Sequence, residues 1–361
     1  MNVLQIINLS SVYPGNLMAS LWDLEKSIEK EGKCIYLFPV EAKKLDWIQE
    51  MIQNDKVLYF KTGNKLEDIK LIVQISQKHE LDIIHLHFWN IPDCLAIKLA
   101  KVGRKGLESV IHHHSMYAVS SSNVREKIKR WILAGNHHIA VSEGMWQQYI
   151  DWKFDKSTLF LVNNCVVFSR LNTYEDKRNG KNSILVFSSC GCLIKGIDIA
   201  CRAIQLLNEK QGATYNLSVV CSEKPDEVET FIRDVFAGEI PEWIKILQPR
   251  TDIATYYKGH RIFLSSSRSE GFCMALLEAT YCECETIQSR IVGHRLDIPE
   301  CKTFESENVV ELANRIEDVF AESEEERVRI NKLQKEYVVQ EYGIERWSRN
   351  VMDVYHKIQE Q

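Results

Sequence analysis

The chain has 361 residues, more than one hydrophobic core usually organises, so we expect two domains. Charged residues make up 26% of it and the net charge is −5, a balance that gives no general preference for nucleic acid. No apolar run approaches the length of a membrane span, and the first residues lack the basic start and cleavage site of a signal peptide. The sequence therefore predicts a cytoplasmic protein.

The eleven cysteines favour a reducing compartment over a disulfide framework. Several lie in apolar runs, as Cys34 and Cys221 do, where a reduced thiol packs as a small hydrophobe. The pairs Cys190/Cys192 and Cys282/Cys284 have one intervening residue, whereas structural zinc sites commonly have two. Disulfides are therefore not expected, and a zinc site at these pairs is kept as an alternative.

Strand patterns alternate with helical patterns along the first half of the chain. Such alternation predicts parallel sheets covered by helices on both faces, the α/β class. The predicted strands of this half are Val3–Leu9, Cys34–Pro39, Val57–Phe60, Asp82–His87, Ser109–His114, His137–Val141 and Leu159–Val162.

A polar segment without hydrophobic periodicity, Leu171–Asn182, interrupts the pattern and predicts an interdomain linker. Beyond it the alternation restarts, and the tail is helical, with apolar residues at core spacing along its last segment. The predicted strands of the second half are Ile184–Phe187, Leu217–Cys221, Ile244–Leu247, Ile262–Ser266 and Thr286–Ser289. The predicted tail helices are Ser323–Glu341 and Ile344–Glu360, the latter with Trp347, Val351 and Tyr355 on one face.

Two carboxylates, Glu270 and Glu278, lie eight residues apart around a Gly-Phe turn. The preceding strand pattern and the following helical pattern predict that Glu270 lies in a strand-to-helix loop. Glu278 is expected two turns into the helix on nearly the same side, since eight residues make about 800° of rotation. A carboxylate accepts two vicinal sugar hydroxyls well, so the run indicates a sugar-nucleotide site. An amphipathic helix with two solvated glutamates is the alternative.

This run resembles the Glu-x7-Glu signature of the retaining GT-B glycosyltransferases, in particular glycosyltransferase family 4, with Cys273 at the usual second glycine. The resemblance implies two Rossmann-like parallel-sheet domains that face a central cleft. The first, an acceptor domain over 1–170, is completed by the C-terminal helix 344–361. The second, over 171–343, is the nucleotide-sugar donor domain.

The family also implies roles for the residues of the run. Glu270 is expected to contact the transferred sugar, and Glu278 is expected to hold the nucleotide ribose. The helix after the turn opens with free amides that can bind an anion or a sugar hydroxyl. The further donor-binding residues implied by the run are Gly271, Phe272, Cys273 and Met274.

A second loop resembles the part of the family that binds the leaving diphosphate. Lys195 and Gly196 match a Lys-Gly pair that opens a helix, so Lys195 is expected to neutralise the diphosphate. The position of the family's arginine falls on Cys190. The missing charge is expected to come from Lys195, from loop amides, or from Arg268 or Arg295. A solvated lysine is the alternative.

The sequence departs from the family pattern at three further places. The loop Ser10–Asn16 has one glycine, Gly15, where the family usually has a pair. The loop is expected to approach the donor phosphates or the acceptor. A plain Pro-Gly turn is the alternative. Glu283–Glu285 replaces a Gly-x-Pro, so this loop is not expected to share the same backbone restrictions. A third loop of the family begins with two successive glycines. In this sequence Gly293 matches the first of them, and His294 replaces the second.

Histidines end two neighbouring predicted strands, His85 and His87 on one and His112–His114 on the other. A metal cluster at this sheet edge is geometrically possible, although no Asp or Glu ligand motif accompanies it. The family needs no metal and carries a histidine near the donor sugar at the corresponding strand end. By that match His114 is expected to be catalytic, with Ser115 as a hydroxyl partner; polar packing without a role is the alternative.

The stretch Val124–Leu133 is basic and amphipathic, which fits anionic lipid head groups or a lipid-linked acceptor. Its alternative is a solvated face over a core of Ile128, Ile132 and Leu133. The protein is accordingly expected in the cytoplasm, with peripheral contact at the inner face of a membrane as an option.

The resemblance implies a metal-independent hexosyltransferase without a cofactor. Such an enzyme moves a hexose-type sugar from a nucleoside diphosphate sugar to a glycan, lipid-linked or other acceptor with retention of configuration. Synthesis of cell-surface polysaccharide or glycoconjugates is the implied setting. Two alternatives stay open: a catalytically impaired GT-B-like partner of another transferase, which the altered loops motivate, and a metallohydrolase that uses the histidines.

Overall fold

The computed structural model describes residues 1–114, 123–172, 182–188, 191–210, 214–221, 224–250, 252–294 and 296–360. The chain divides into two compact units. The N-terminal unit comprises Met1–Asn164 together with Ile344–Gln361, and the C-terminal unit comprises Cys165–Gly343. Most of the predicted linker, residues 173–181, lies outside the described residues.

The N-terminal unit is built on a seven-stranded sheet in the order β3-β2-β1-β4-β5-β6-β7. All neighbouring strands are parallel, as the alternating pattern predicts. The strands are β1 (Asn2–Ile7), β2 (Lys33–Phe38), β3 (Val57–Phe60), β4 (Ile83–His87), β5 (Glu108–His113), β6 (His137–Ala140) and β7 (Leu159–Leu161).

Helices connect these strands, and three of them begin at a polar side chain that accepts backbone amide protons. Asn64, Asn90 and Ser142 are these caps, a common way to satisfy the free amides of a first helical turn. The helices are α1 (Gly15–Ile28), α2 (Asp46–Gln53), α3 (Lys65–Lys78), α4 (Ile91–Gly103), α5 (Asn123–Leu133) and α6 (Glu143–Asp151).

The C-terminal unit has a six-stranded parallel sheet in the order β10-β9-β8-β11-β12-β13. Five strands match the predicted ones, and the sixth, β13, is a three-residue edge strand too short to show an alternating pattern. The strands are β8 (Ser183–Phe187), β9 (Asn216–Val220), β10 (Ile244–Leu247), β11 (Ile262–Ser265), β12 (Glu285–Ser289) and β13 (Lys302–Phe304).

The first helix of the C-terminal unit packs its apolar face onto this sheet. Its residues Ile197, Ala200 and Ile204 are completely buried in the core that also holds Leu264 of β11. The helices are α7 (Ile197–Lys210), α8 (Pro225–Val235), α9 (Ala254–Lys258), α10 (Met274–Tyr281), α11 (Val309–Ala321) and α12 (Glu324–Tyr342).

The last helix, α13 (Ile344–Gln359), packs within the N-terminal unit. Trp347, Val351 and Tyr355 are buried, as their spacing predicts. Tyr355 reaches the sheet, where its hydroxyl accepts a hydrogen bond from Gln5 of β1 at 3.1 Å. The helix therefore completes the core of the unit that begins the chain.

The ten described cysteines are all free thiols, and nine are buried. Burial raises the pKa of Cys94 and of Cys201 to about 12, which keeps these thiols protonated and unreactive. Across the described residues, every helix is too short or too polar to pass through a lipid bilayer.

Candidate active site

The predicted donor loops follow β8, β11 and β12, three adjacent strands in the sheet of the C-terminal unit. Ligands of open parallel sheets gather at the carboxyl ends of strands. Lys195 lies after β8, Glu270 after β11 and Gly293 after β12. One edge of this sheet thus carries all three loops.

Two glycines let these loops touch backbone to backbone. Gly196 has a φ of +63°, and a Cβ at this position would lie 2.0 Å from the carbonyl oxygen of Ser266. A Cβ on Gly293 would lie 2.1 Å from the carbonyl oxygen of Glu270. The hydroxyl of Ser266 also donates to the carbonyls of Lys195 and Gly196, at 3.0 and 2.9 Å. Larger side chains would push apart the loops that position Lys195 and Glu270.

Lys195 and Glu270 form an ion pair. The Nζ of Lys195 donates to Oε1 of Glu270 at 2.5 Å, and the hydroxyl of Ser267 donates to the same oxygen at 2.7 Å. The two side chains are only 16% and 12% exposed. The predicted cation and the predicted sugar carboxylate therefore meet in one sheltered site, each balancing the charge of the other.

Glu278 lies in α10, where it is 5% exposed. Because α10 begins at Met274, Glu278 is little more than one turn into the helix, so the prediction of two turns was wrong. The hydroxyl of Tyr257 donates to Oε2 at 2.8 Å, and Arg170 donates to Oε1 at 3.4 Å. Burial raises the pKa of the carboxyl, while Arg170 and Tyr257 oppose that rise.

Sequence reasoning missed both partners of Glu278. Arg170 is 108 residues away along the chain and Tyr257 is 21 residues away, so no local spacing links them to the carboxylate. Tyr281, one turn after Glu278, stacks on Phe168 with ring centroids 4.3 Å apart. The segment around Arg170 therefore packs on the helix that carries Glu278.

The residues that open α10 are more enclosed than expected. Phe272 and Cys273 are 7% and 4% exposed. The amide of Met274 donates to the carbonyl of Phe272 at 3.1 Å, so a turn within the protein engages it. Burial raises the pKa of the Cys273 thiol to about 12, which leaves it protonated and unsuited as a nucleophile. Gly271 links Glu270 to this buried pair.

Arg268 is held by protein groups. Its guanidinium donates to both carboxylate oxygens of Asp198, at 2.7 and 2.9 Å, and it also bonds Glu307. It reaches the carbonyl of Leu193 at 2.6 Å, and these carboxylates raise its pKa. The structure therefore gives Arg268 a bracing position on the loop that precedes Lys195. Arg295, the other arginine weighed for this charge, and Cys190, which stands at the family's arginine position, lie outside the described residues.

Two of the departures from the family pattern have a structural explanation. His294 is 3% exposed. Its Nδ1 forms a hydrogen bond with the carbonyl of Ser289 at 2.8 Å, and its Nε2 forms one with the hydroxyl of Ser265 at 3.0 Å. His294 therefore links the ends of β11 and β12. Glu283 has a φ of +61°, in the left-handed region that favours glycine. At the first residue of the altered loop, Glu283 therefore adopts a backbone conformation for which glycine is better suited.

The N-terminal unit presents the other predicted residues at the carboxyl edge of its own sheet. His114 directly follows β5, and Gly15 begins α1 after β1 with a φ of +63° and open space where a Cβ would lie. Nδ1 of His87 lies 3.0 Å from Nε2 of His114. Ser115, the expected partner of His114, lies outside the described residues.

The metal alternative meets a geometric obstacle. Ring nitrogens of His85, His87 and His112 do lie within 4.8 Å of one another. However, Nε2 of His85 faces Nδ1 of His112 at 3.1 Å, and the two ring planes differ by only 2°. These two nitrogens face each other and share a hydrogen, whereas metal ligands point at a common ion.

A buried ion pair in the N-terminal unit was also missed from sequence. The Nζ of Lys61 donates to Oδ1 of Asp93 at 2.6 Å and to Oδ1 of Asn8 at 2.8 Å. Asn8 follows β1 and Lys61 follows β3, so this pair lies at the same carboxyl edge as His114. A cavity of about 820 Å³ opens beside it, walled by apolar side chains such as Trp89 and Ile91 as well.

The basic helix α5 matches its alternative interpretation at two of the three predicted core residues. Ile132 and Leu133 are buried, at 3% and 2% exposure, but Ile128 is 50% exposed. Trp131, on the same helix, is 63% exposed. The prediction of Ile128 as a core residue was therefore wrong, and α5 presents apolar as well as basic side chains to solvent.

Comparison with known proteins places these sites in context. Residues 173–336 match the family model described as Glycosyl transferases group 1, and residues 37–170 match Glycosyltransferase Family 4. A glycosyltransferase from Rickettsia africae has a TM-score of 0.81 and 17% identity, over 99% of this chain and 98% of that one. No curated protein sequence matches.

Two further solved structures are similar along their whole length. Anabaena HepE, in complex with UDP-glucose, has a TM-score of 0.78 and 14% identity over 98% of both chains. The sucrose-phosphate synthase of Thermosynechococcus elongatus has a TM-score of 0.74 and 14% identity, over 99% of this chain and 98% of that one. At these identities the similarity establishes the two-domain fold.

Proposed function

We propose that this chain, which belongs to the GT-B glycosyltransferases with a family 4 and a group 1 part, transfers a hexose-type sugar with retention of anomeric configuration. The donor is a nucleoside diphosphate sugar, and the acceptor is a hydroxyl of a glycan or a lipid-linked saccharide. The observation that carries the proposal is the sheltered ion pair of Lys195 and Glu270. The relative crystallised with UDP-glucose supports a nucleoside diphosphate hexose as donor.

The ion pair suits a reaction that separates charge. When the bond from the anomeric carbon to the diphosphate breaks, negative charge grows on the leaving group and positive charge grows on the sugar. Lys195 then stabilises the diphosphate, and Glu270 stabilises or orients the sugar. The acceptor oxygen forms the new glycosidic bond, and its proton passes to the departing diphosphate. In this scheme no metal and no separate basic residue is required.

Glu278 has capacity for the ribose. A carboxylate offers about four acceptor positions. Tyr257 and Arg170 each occupy one. The remaining positions match the two vicinal hydroxyls of a ribose, and the two protein donors fix the carboxylate before the nucleotide arrives.

The proposal is tested by Glu270→Gln, which keeps the shape and removes the charge. Turnover is expected to fall about 10²–10³-fold, the usual cost of one lost electrostatic contact to a transition state, while calorimetry shows nucleotide affinity close to native. Glu229→Gln, in an exposed ion pair on α8, is the matched control and should be fully active. A fully active Glu270→Gln enzyme, or a product with inverted anomeric configuration by NMR, would contradict the proposal.

The same assay separates the alternatives. We expect transfer from a UDP-, GDP- or ADP-sugar to survive a chelator. A binding partner without catalysis would show no turnover with any donor that raises its melting temperature. A metallohydrolase that uses the histidines would lose activity when the chelator is added.

A surface of the N-terminal unit supports a lipid-linked acceptor. We call it the α4–α5 patch: residues 95–107 and 127–136, whose charged residues are basic, although Lys101 and Arg104 pair with Glu108 and Asp82 at its border. Lys98 joins its two helices, since its Nζ donates to the carbonyl of Trp131 at 2.8 Å and lies 4.9 Å from the Trp131 ring. Its basic residues are Lys98, Lys101, Arg104, Lys105, Lys127, Lys129 and Arg130, and its exposed apolar residues are Leu99, Val102, Ile128 and Trp131.

Segregation of positive charge in a chain of net charge −5, around an exposed tryptophan, is typical of a protein surface that lies on anionic lipid. We expect co-sedimentation with vesicles that contain phosphatidylglycerol, weakened by salt, and none with phosphatidylcholine alone. Trp131→Ala should reduce binding. Leu66→Ala, which removes another exposed apolar side chain on α3, should leave it unchanged. Equal binding to both vesicle types would contradict the membrane role.

A further inference from the structure

Gln5 of β1 lies between two chains of buried imidazoles. It is 1% exposed, and its amide uses both ends: Nε2 donates to the hydroxyl of Tyr355 at 3.1 Å, and Oε1 lies 3.0 Å from Nε2 of His87. One branch continues from His87 to His114, and the other continues from Tyr355 to His85. A single side chain therefore connects both branches.

The histidines of these branches are neutral at physiological pH. Burial lowers the pKa values of His85, His87 and His112 well below the ordinary value, and it lowers the pKa of His114 to about 4. A neutral imidazole has one N–H group and one lone pair. Each ring can therefore donate on one side only and must accept on the other, so the direction of one hydrogen bond fixes the direction of the next.

The direction in the first branch follows from the Gln5 carbonyl, which can only accept. His87 must donate from Nε2 to this oxygen, so its Nδ1 carries a lone pair. Nδ1 of His87 then accepts from Nε2 of His114, across 3.0 Å. The hydrogen of His114 is thus on Nε2, and the lone pair of His114 is on Nδ1.

The second branch has a matching direction. The hydroxyl of Tyr355 accepts from Gln5 and so gives its hydrogen to Nδ1 of His85, at 2.6 Å. His85 donates in turn from Nε2 to Nδ1 of His112, at 3.1 Å. Within the described part of the chain this branch ends at Nε2 of His112, which is buried without a partner. Rotation of the Gln5 amide by half a turn would reverse every bond in both branches together.

We propose that Gln5 is a positioning residue that holds His114 as the Nε2–H tautomer, with its Nδ1 lone pair available to a hydroxyl of the donor sugar. The sugar contact rests on the proposed function, whereas the tautomer depends only on the hydrogen bonds. His114 then accepts a hydrogen bond from the substrate and fixes the orientation of a hydroxyl. It does not act as a proton donor at neutral pH.

The decisive measurement is the ¹⁵N NMR spectrum of the histidine rings in the native protein, because protonated and lone-pair nitrogens of imidazole differ strongly in chemical shift. The signals of His114 are assigned by their loss in His114→Gln. At neutral pH we expect Nε2 of His114 to be protonated and Nδ1 to be unprotonated. A proton on Nδ1 would overturn the proposal without any assay of activity.

A variant then tests the control by Gln5. Gln5→Leu keeps a similar volume and removes both hydrogen bonds, so His87 and His114 should change to a mixture of tautomers. Turnover should fall about tenfold, the factor that one hydrogen bond represents, with the KM for the donor little changed. Unchanged ring shifts in Gln5→Leu would show that Gln5 does not set the tautomer.

Ser109→Ala is the matched control. It removes a buried hydrogen bond to Asn136, 2.7 Å long, in the same sheet but outside both branches. We expect Ser109→Ala to be less stable, as after the loss of any buried hydrogen bond, but to keep the native histidine ring shifts and turnover. A tautomer change in Ser109→Ala similar to that in Gln5→Leu would count against a specific role of Gln5. If the native protein transfers no sugar but shows the expected ring shifts, the proposed function fails and the tautomer assignment stands.

Discussion

The carboxyl edges of the two sheets differ in most of their polar groups. In the C-terminal unit the groups are charged and paired: Lys195 with Glu270, and Arg170 with Glu278. In the N-terminal unit the strand ends carry mostly histidines, which burial keeps neutral and which bond one another; His87 and His114 are an example. The same parallel topology therefore supports one edge suited to charged ligands and one edge suited to hydroxyl groups.

The difference arises in where the polar residues lie. In the C-terminal unit Lys195 and Glu270 lie in loops after the strands, whereas in the N-terminal unit several polar residues lie on the strands themselves. The edge of the C-terminal unit depends on close contact between loops, which Gly196 and Gly293 permit. The edge of the N-terminal unit depends on side chains that lie on the strands, such as Gln5 and His87. Variants in the two units should therefore fail in different ways.

The largest effect is expected for Lys195→Ala. Because the charge of the leaving diphosphate grows in the transition state, turnover should fall about 10²–10³-fold, more than donor affinity does. Steady-state kinetics with calorimetry checks this. Arg268→Ala is the comparison: its guanidinium bonds Asp198 and Glu307, so we expect lower stability and a smaller effect on turnover. Full activity of Lys195→Ala would remove Lys195 from the site.

Gly196→Ala tests the contact between loops. The added Cβ would lie 2.0 Å from the carbonyl oxygen of Ser266 and would have to adopt a φ of +63°. A shift of about 1 Å in a catalytic loop costs about 10²-fold in rate, so turnover should fall by that order. Gly238→Ala, at a positive φ with open space around it, controls for backbone strain alone and should keep native turnover. Similar losses in both variants would refute the loop contact as the cause.

Glu278→Ala should weaken binding of the free nucleotide by about 1–3 kcal/mol, because it removes a charged hydrogen-bond partner of the ribose. Tyr257→Phe should cost less, about 1 kcal/mol, because the carboxylate remains and loses only the donor that fixes it. Calorimetry with UDP or GDP, whichever the native protein prefers, measures both. Unchanged affinity in Glu278→Ala would show that the ribose lies elsewhere.

The smallest expected effect is that of the buried histidines on the pH dependence of stability, and it grows as the solution becomes acidic. In the unfolded chain they take up protons as the pH falls below about 6.5, whereas the folded pKa is about 4 for His114 and about 3 for His138. Their contribution to stability is therefore complete above pH 6.5 and is lost as the pH falls toward those folded values. Hydrogen exchange should show β4–β6 losing protection before β8–β12 as the pH is lowered. Simultaneous loss in both sheets would contradict this assignment.

The strands could be predicted because each is a local pattern of apolar residues, and the ends of the N-terminal strands differ by at most two residues from prediction. The acidic pair Glu270 and Glu278 could be found because both residues lie on one short segment. Local pattern has limits, however. It missed the three-residue strand β13. It also assigned Ile128 to the core, because helical spacing shows which residues of α5 share a face but not which face the rest of the protein covers.

The amino-acid sequence was enough to predict two parallel α/β units, the Glu-x7-Glu run and the Lys-Gly pair that opens α7, because periodicity and turn chemistry are properties of neighbouring residues. The family resemblance implied that α13 packs in the N-terminal unit, but periodicity could not show it, since an amphipathic helix shows that one face is buried but not against what. Only the tertiary structure decided that Arg170 bonds Glu278 and that Gln5 bonds His87, across 108 and 82 residues of chain. Such pairs depend on the meeting of distant strand ends, which no local spacing encodes.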